Sequence, residues 1–269
     1  MEWRTRALHA LQLTEPEAKC QAVQALWAER AHTPLAPGAT LAPPLNGPLP
    51  GRPVRPRLIP PGEVPTRSPY TPEGRAALVH AICHIEFNAI NLALDAVWRF
   101  AGMPEAFYSD WLQVAQEESR HFEMLHQQLL AMGWRYGDFE AHDGLWEMCE
   151  KTRDDITARM ALVPRTLEAR GLDATPLIQA RLRKVGSPDA LRICDCLDVI
   201  LRDEIGHVAI GNRWYHWLCE RQGLAPLAHY KALVRQHRAP RLRPPFNTPA
   251  REAAGFSDDE IAFLSSDGL

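Results

Sequence analysis

The chain contains no Cys-x-x-Cys pair among its six cysteines, so it offers no thiolate pair at the spacing of a structural zinc site. Cys83, Cys149 and Cys219 fall inside apolar helical patterns, where a free thiol packs as a small hydrophobe, and a reducing compartment is expected. No stretch approaches the roughly 20 apolar residues that a bilayer crossing needs. The first thirteen residues interleave Glu2, Arg4, Arg6 and His9 with apolar side chains, so no membrane partner and a cytoplasmic location are expected. Charge of one sign is also missing: 30 basic against 33 acidic residues leave a formal net charge of -3, and nothing in that balance calls for a polyanion partner. The basic clusters at 181–184 and 235–243 are local. No repeat of short period is present.

What the chain does have is 46% hydrophobic and 23% charged residues, the balance of a globular protein with one large core or two modest ones. Residues 3–31 read as one or two short helices, the second starting at Thr14-Glu15-Pro16-Glu17 with Val23, Leu26 and Trp27 at helical spacing. From Pro34 to Pro72 there are thirteen prolines, a density that excludes helix interiors and central strands. Leu41, Leu45, Leu49, Val54, Leu58, Ile59 and Val64 within this stretch suggest an extended arm laid over a helical body by its apolar side chains.

Everything after it reads as helix. Thr71-Pro72-Glu73 is a cap, a proline at the first helical position and a first-turn acid, opening a helix that closes at Gly102. A second helix is predicted from Glu105 to Met132, then a connection from Gly133 to Gly144 and a third helix from about Leu145 to Ala169, kinked at Pro164. Gly171 to Pro176 reads as a break, with helix resuming over 177–185. Ser187-Pro188-Asp189 opens a fourth helix reaching about Gln222. The segment from Ala239 reads as irregular, with a capping box at Ser257-Asp-Asp-Glu260 starting a last short helix to Leu264. The expected fold is therefore all-α: an N-terminal helical and Pro-rich arm (1–70), a four-helix bundle (71–238) and an irregular C-terminal tail packed on it (239–269).

Two helices carry Glu-x-x-His: Glu118-Ser-Arg-His121 and Glu204-Ile-Gly-His207. Three residues apart on a helix, a carboxylate and an imidazole project from one face and can grip one metal ion, and this oxygen and nitrogen donor set suits iron or manganese. A two-metal carboxylate bundle needs one more acid from each remaining helix at the same height. Measured from the first hairpin tip at Met103, Glu86 lies seventeen residues before and Glu118 and His121 fifteen and eighteen after. Measured from Gly186, Glu168 lies eighteen before and Glu204 eighteen after. At 1.5 Å per residue these positions share a level about 25 Å from each tip.

Glu147, Glu150 and Asp154 or Asp155 are alternatives to Glu168, and His80, His84 and Asp95 alternatives to Glu86. Exposed acids would be ordinary, but Glu86 sits among Ile82, Ile85, Phe87 and Ile90, and Glu204 among Val199, Ile200, Ile205 and Val208, where a bare carboxylate is costly. Asp203 and Glu117, each just before a motif, are candidates to orient the ligating imidazoles, and His84 is a third candidate for the surrounding layer.

In the order Glu86, Glu118, His121, Glu168, Glu204, His207, the chain resembles the ferritin-like di-iron carboxylate superfamily. More narrowly, the runs 84–95, 117–121 and 167–173, with the Pro-rich arm and Pro245-Phe-Asn247, are similar to a bacterial family known only as domain of unknown function 455. A more distant likeness is to the tRNA methylthio-isopentenyl-adenosine hydroxylases. The resemblance implies a ferritin-like bundle holding two iron ions, or iron and manganese, and oxygen activation there. It implies a small-molecule or modified-nucleoside substrate and an electron-donor protein. A ferroxidase or peroxide-scavenging protein and a non-enzymatic metal-binding or partner-docking bundle are the alternatives. Ribonucleotide reductase small subunits carry a radical Tyr where this chain has Leu125, and rubrerythrins need a Cys-x-x-Cys part.

Overall fold

Helix starts in this chain are dictated by proline and by side-chain caps. A computed structural model describes residues 1–42 and 47–266, all helix and irregular chain but for one isolated bridge between Leu58 and Ala141. It divides into two units, 1–146 and 147–269.

In the first unit, α1 (Trp3–Gln12) is capped by the Glu2 carboxylate, which accepts from Arg4 N and Thr5 N, and α2 (Pro16–Glu29) begins on a proline. α3 (Pro72–Arg99) starts where Thr71 accepts from Gly74 N, and α4 (Glu105–Ala131) returns antiparallel to it. α1 packs on α3 and α2 on α4. α3 is apolar on nearly every face because neighbours surround it. Among the described residues it is the one helix long and apolar enough to cross a membrane, at a mean hydropathy of 1.4, which corrects the expectation that no stretch came close. Its apolarity belongs to the core, since 72% of that window is buried inside the protein.

Of the apolar side chains in the proline-rich arm, Leu41, Leu49, Ile59 and Val64 are half-buried. Val54 is 99% and Leu58 38% exposed, and Leu45 lies outside the described residues. Buried cations also hold the backbone. Arg4, fully buried, donates to the carbonyls of Ala36, Pro37 and Ala39 and to those of Val97 and Trp98 at the end of α3. Lys19 donates to Leu11 O, Gly51 O and Asn91 Oδ1. A chain rich in prolines is short of amide donors but keeps every carbonyl, so these cations supply what the backbone lacks.

In the second unit the predicted third helix breaks earlier than expected. α5 (Gly144–Lys151), which begins at the end of the first unit, is followed by a turn, after which Asp155 caps α6 (Ile156–Leu162). A wide π-turn (Val163–Glu168) contains Pro164, and α7 (Ala169–Val185) then runs unbroken through Gly171 and Pro176. The expected break at 171–176 is absent because the carbonyl that Pro176 leaves without an amide, Leu172 O, accepts from Asn247 Nδ2 at 3.0 Å. α8 (Pro188–Gln222) ends at Gly223 in the left-handed conformation, with φ of 65°.

α9 (Pro226–Gln236) follows α8, and the segment read as irregular from Ala239 is more helical than its prolines suggested: α10 (Thr248–Ala253) precedes α11 (Asp258–Ser265), which has its capping box. Arg251 of α10 pairs with Asp173 of α7 at 2.6 Å. All six cysteines are free, and Cys83, Cys149 and Cys219 are buried.

Candidate metal centre

In the first unit α3 and α4 bring three donors together. Glu86 is 3%, Glu118 0% and His121 2% exposed, and each offers an atom within 4.8 Å of the others. His121 Nδ1 lies 3.3 Å from Glu118 Oε2 and 3.3 Å from Glu86 Oε2. The first contact is an aligned hydrogen bond, whereas Glu86 Oε2 is buried with no aligned partner.

Burial, and then the charge of Glu118, raises the pKa of Glu86. Burial alone would lower that of His121, but the two carboxylates outweigh it and push it up. Glu86 and His121 are thus both pushed towards their protonated forms, one by burial and the other by the carboxylates beside it.

In the second unit α8 places Glu204 and His207 one turn apart, with His207 Nδ1 3.6 Å from Glu204 Oε1. His207 is 1% exposed, and Glu204 Oε2 is a buried oxygen without a hydrogen-bond partner. Glu168 ends the π-turn and is 8% exposed.

The alternatives are occupied or solvated. His80 Nε2 accepts from Gly137 N at 2.9 Å, and Asp95 is bound by Arg99 at 2.7 Å and by Trp98 Nε1 at 3.1 Å. Glu147 and Asp154 are exposed, Glu150 is half-exposed, and Asp155 caps α6. His84 bonds Tyr136 Oη at 2.8 Å, the His142 carbonyl and Asn88, none of them a member of the Glu86, Glu118 and His121 group. Asp203 accepts from Arg202 Nε at 2.9 Å and Glu117 from Gln113 Nε2 at 3.0 Å.

The donors present fit a metal. They are carboxylate oxygens and imidazole nitrogens without a thiolate, the set that suits iron and manganese, and Glu86 Oε2 and Glu204 Oε2 are buried acceptors without an aligned hydrogen bond. Reading the sequence missed Arg165, whose side chain fills the interior beside the π-turn. Its signal was a lone arginine inside the apolar run from Met160 to Leu167.

A family model described as "protein of unknown function (DUF455)" matches residues 12–262. A protein of Haemophilus influenzae described as uncharacterized is 51% identical over 219 residues, which cover 79% of this chain and 75% of that relative. No solved structure matches the chain.

Proposed function

The chain belongs to the DUF455 family of proteins of unknown function, and we propose that it is a ferritin-like di-iron, or iron/manganese, carboxylate protein acting as an O2-dependent oxidoreductase on an organic substrate. In this reading α3, α4, α6 with α7, and α8 are the four bundle helices, and Glu86, Glu118, His121, Glu168, Glu204 and His207 are the ligands. The observation that carries it is the pair of half-sites, each built on a Glu-x-x-His turn and each holding a buried glutamate oxygen without a hydrogen-bond partner.

These residues would hold two ferrous ions, whose chemistry would be to supply electrons for reducing O2. The protein's own part is to concentrate negative charge where cations sit and to keep water away. Glu118 and His121 sit on one turn of α4, so they approach a cation together, while Glu86 adds a carboxylate from α3. Phe87 and Phe122, each next to a ligand, pack at 5.7 Å between ring centroids and close that side with apolar surface. An electron-donor protein would supply the electrons for each cycle, and six free cysteines are compatible with a reducing compartment.

Purified protein is expected to hold about two metal ions per chain. Glu118→Ala and His207→Ala should each lower that content, and full retention by both variants would remove the ligand assignment. Ferrous protein should consume O2; growth of a ferric mineral under excess iron would point to a ferroxidase instead.

A further inference from the structure

The π-turn that carries Glu168 is held by a side chain that is not among the ligands. Arg165 is 1% exposed, and its guanidinium donates to Glu260 Oε1 at 2.5 Å and to Asn212 Oδ1 at 3.0 Å, with His216 Nε2 at 3.4 Å. The rings of Tyr215, Tyr230 and Phe256 surround it at 5.1, 5.0 and 4.9 Å from their centroids. Glu260 is itself fixed: its Oε2 accepts from Ser257 N at 2.9 Å in the capping box that starts α11, and its Oε1 lies 3.3 Å from His216 Nε2. A continuous path of short contacts therefore runs from α11 through Glu260 and Arg165 into the turn.

The turn needs external support. Pro164 brings no amide, and the Thr166 hydroxyl bonds Ala161 O at 2.8 Å. A π-turn holds one residue more than the α-helical winding, and an α-helix advances about 100° per residue. Tightening it would swing Glu168 off its face. A buried ion pair adds little stability over apolar packing of the same volume, but the planar guanidinium, forked between Glu260 and Asn212, fixes direction. The rings pack around the guanidinium, and the Thr166 hydroxyl meets Tyr230 Oη at 3.0 Å; the Arg165–Glu260 pair adds a charged contact that ties the turn to α11.

We propose that Glu260, acting through Arg165, is a positioning residue that sets the direction in which Glu168 meets the metal. The proposal rests on the metal-binding reading of Glu168. The experiment titrates the full-length, metal-free chain with cobalt(II) alone, following the visible spectrum and the bound stoichiometry, for the wild type, Glu260→Gln, Arg165→Lys and Phe263→Leu. Glu260→Gln removes the charge, Arg165→Lys keeps the charge but loses the fork, and Phe263→Leu trims the α11 contact with Tyr230 while leaving the pair intact.

The expected result is one cobalt bound as in the wild type and the second at least tenfold more weakly, with an altered visible band, in Glu260→Gln and Arg165→Lys. Phe263→Leu should lower the melting temperature and leave the spectrum alone. Wild-type titrations in both pair variants would overturn the proposal, as would the same spectral change in Phe263→Leu, which would reduce the pair to packing. A wild type that binds no cobalt fails before any variant is compared; it removes the metal reading and this proposal with it. Should Glu260→Gln not fold, Arg165→Lys decides the outcome.

Discussion

Gly211 of α8 lies against the Pro164 ring, so close that a Cβ at 211 would stand 2.6 Å from both Pro164 Cβ and Pro164 Cγ. In an exposed helix Gly→Ala gains about 0.5–1 kcal/mol. Here the ring cannot move without shifting the π-turn, and overpacking costs about 1–3 kcal/mol, so the clash wins. Gly211→Ala is expected to lower the urea midpoint. A midpoint at or above the wild-type value would mean that the turn yields freely.

Glu86→Gln separates stability from function. In the metal-free protein burial and Glu118 force Glu86 either to carry a charge out of water or to take up a proton, and a glutamine is spared that cost. Metal-free Glu86→Gln should melt at a higher temperature than metal-free wild type, while its metal content falls from about two per chain towards one. A lower melting temperature would show that the carboxylate serves the fold rather than a cation.

Arg4 carries the arm. Its replacement by Met leaves several buried carbonyls without a donor, at about 1–3 kcal/mol for each that water does not reach. Arg4→Met is expected to cost upwards of about 3 kcal/mol in chemical denaturation and to open the 34–41 segment to limited proteolysis. Unchanged protection of that segment would show that apolar contacts hold it.

Glu260 gives the protein an acid limit. Burial would raise its pKa, but His216 and Arg165 outweigh that and bring it from the ordinary carboxylate value down to about 2. A group depressed in the folded state contributes stability that is present above its unfolded pKa of about 4.5. That contribution is lost as the pH falls through about 2. Wild type should therefore lose stability between pH 4.5 and 2, and Glu260→Gln should show a shallower slope there. Parallel pH curves would refute it.

Asn247 holds two elements at once: its Oδ1 accepts from Ala250 N at the start of α10, and its Nδ2 donates to the Leu172 carbonyl beneath Pro176. Asn247→Ala should cost about 1–3 kcal/mol and kink α7, visible as faster amide exchange around 172–177. Exchange at the wild-type rate would show that α7 tolerates its proline unaided.

What could be read along the chain was what neighbours in sequence decide. Thr71-Pro72-Glu73 and Ser257-Asp-Asp-Glu260 announced their helices because caps act within one turn, and Glu118 with His121 could be paired because helical pitch alone puts them on one face. α10 was passed over because its signal was weak beside the surrounding prolines, and it packs on α7 and α8, which are distant in sequence.

By itself, then, the sequence determined an all-helical chain and two local carboxylate–imidazole turns. The tertiary structure decided that Glu86 faces His121 at 3.3 Å, that α7 continues through Pro176, and that Arg165 meets Glu260 95 residues away. The physical reason is range. Pitch and caps are properties of a few adjacent residues, whereas a buried charge or an orphaned carbonyl is satisfied by whichever distant group folding delivers to it.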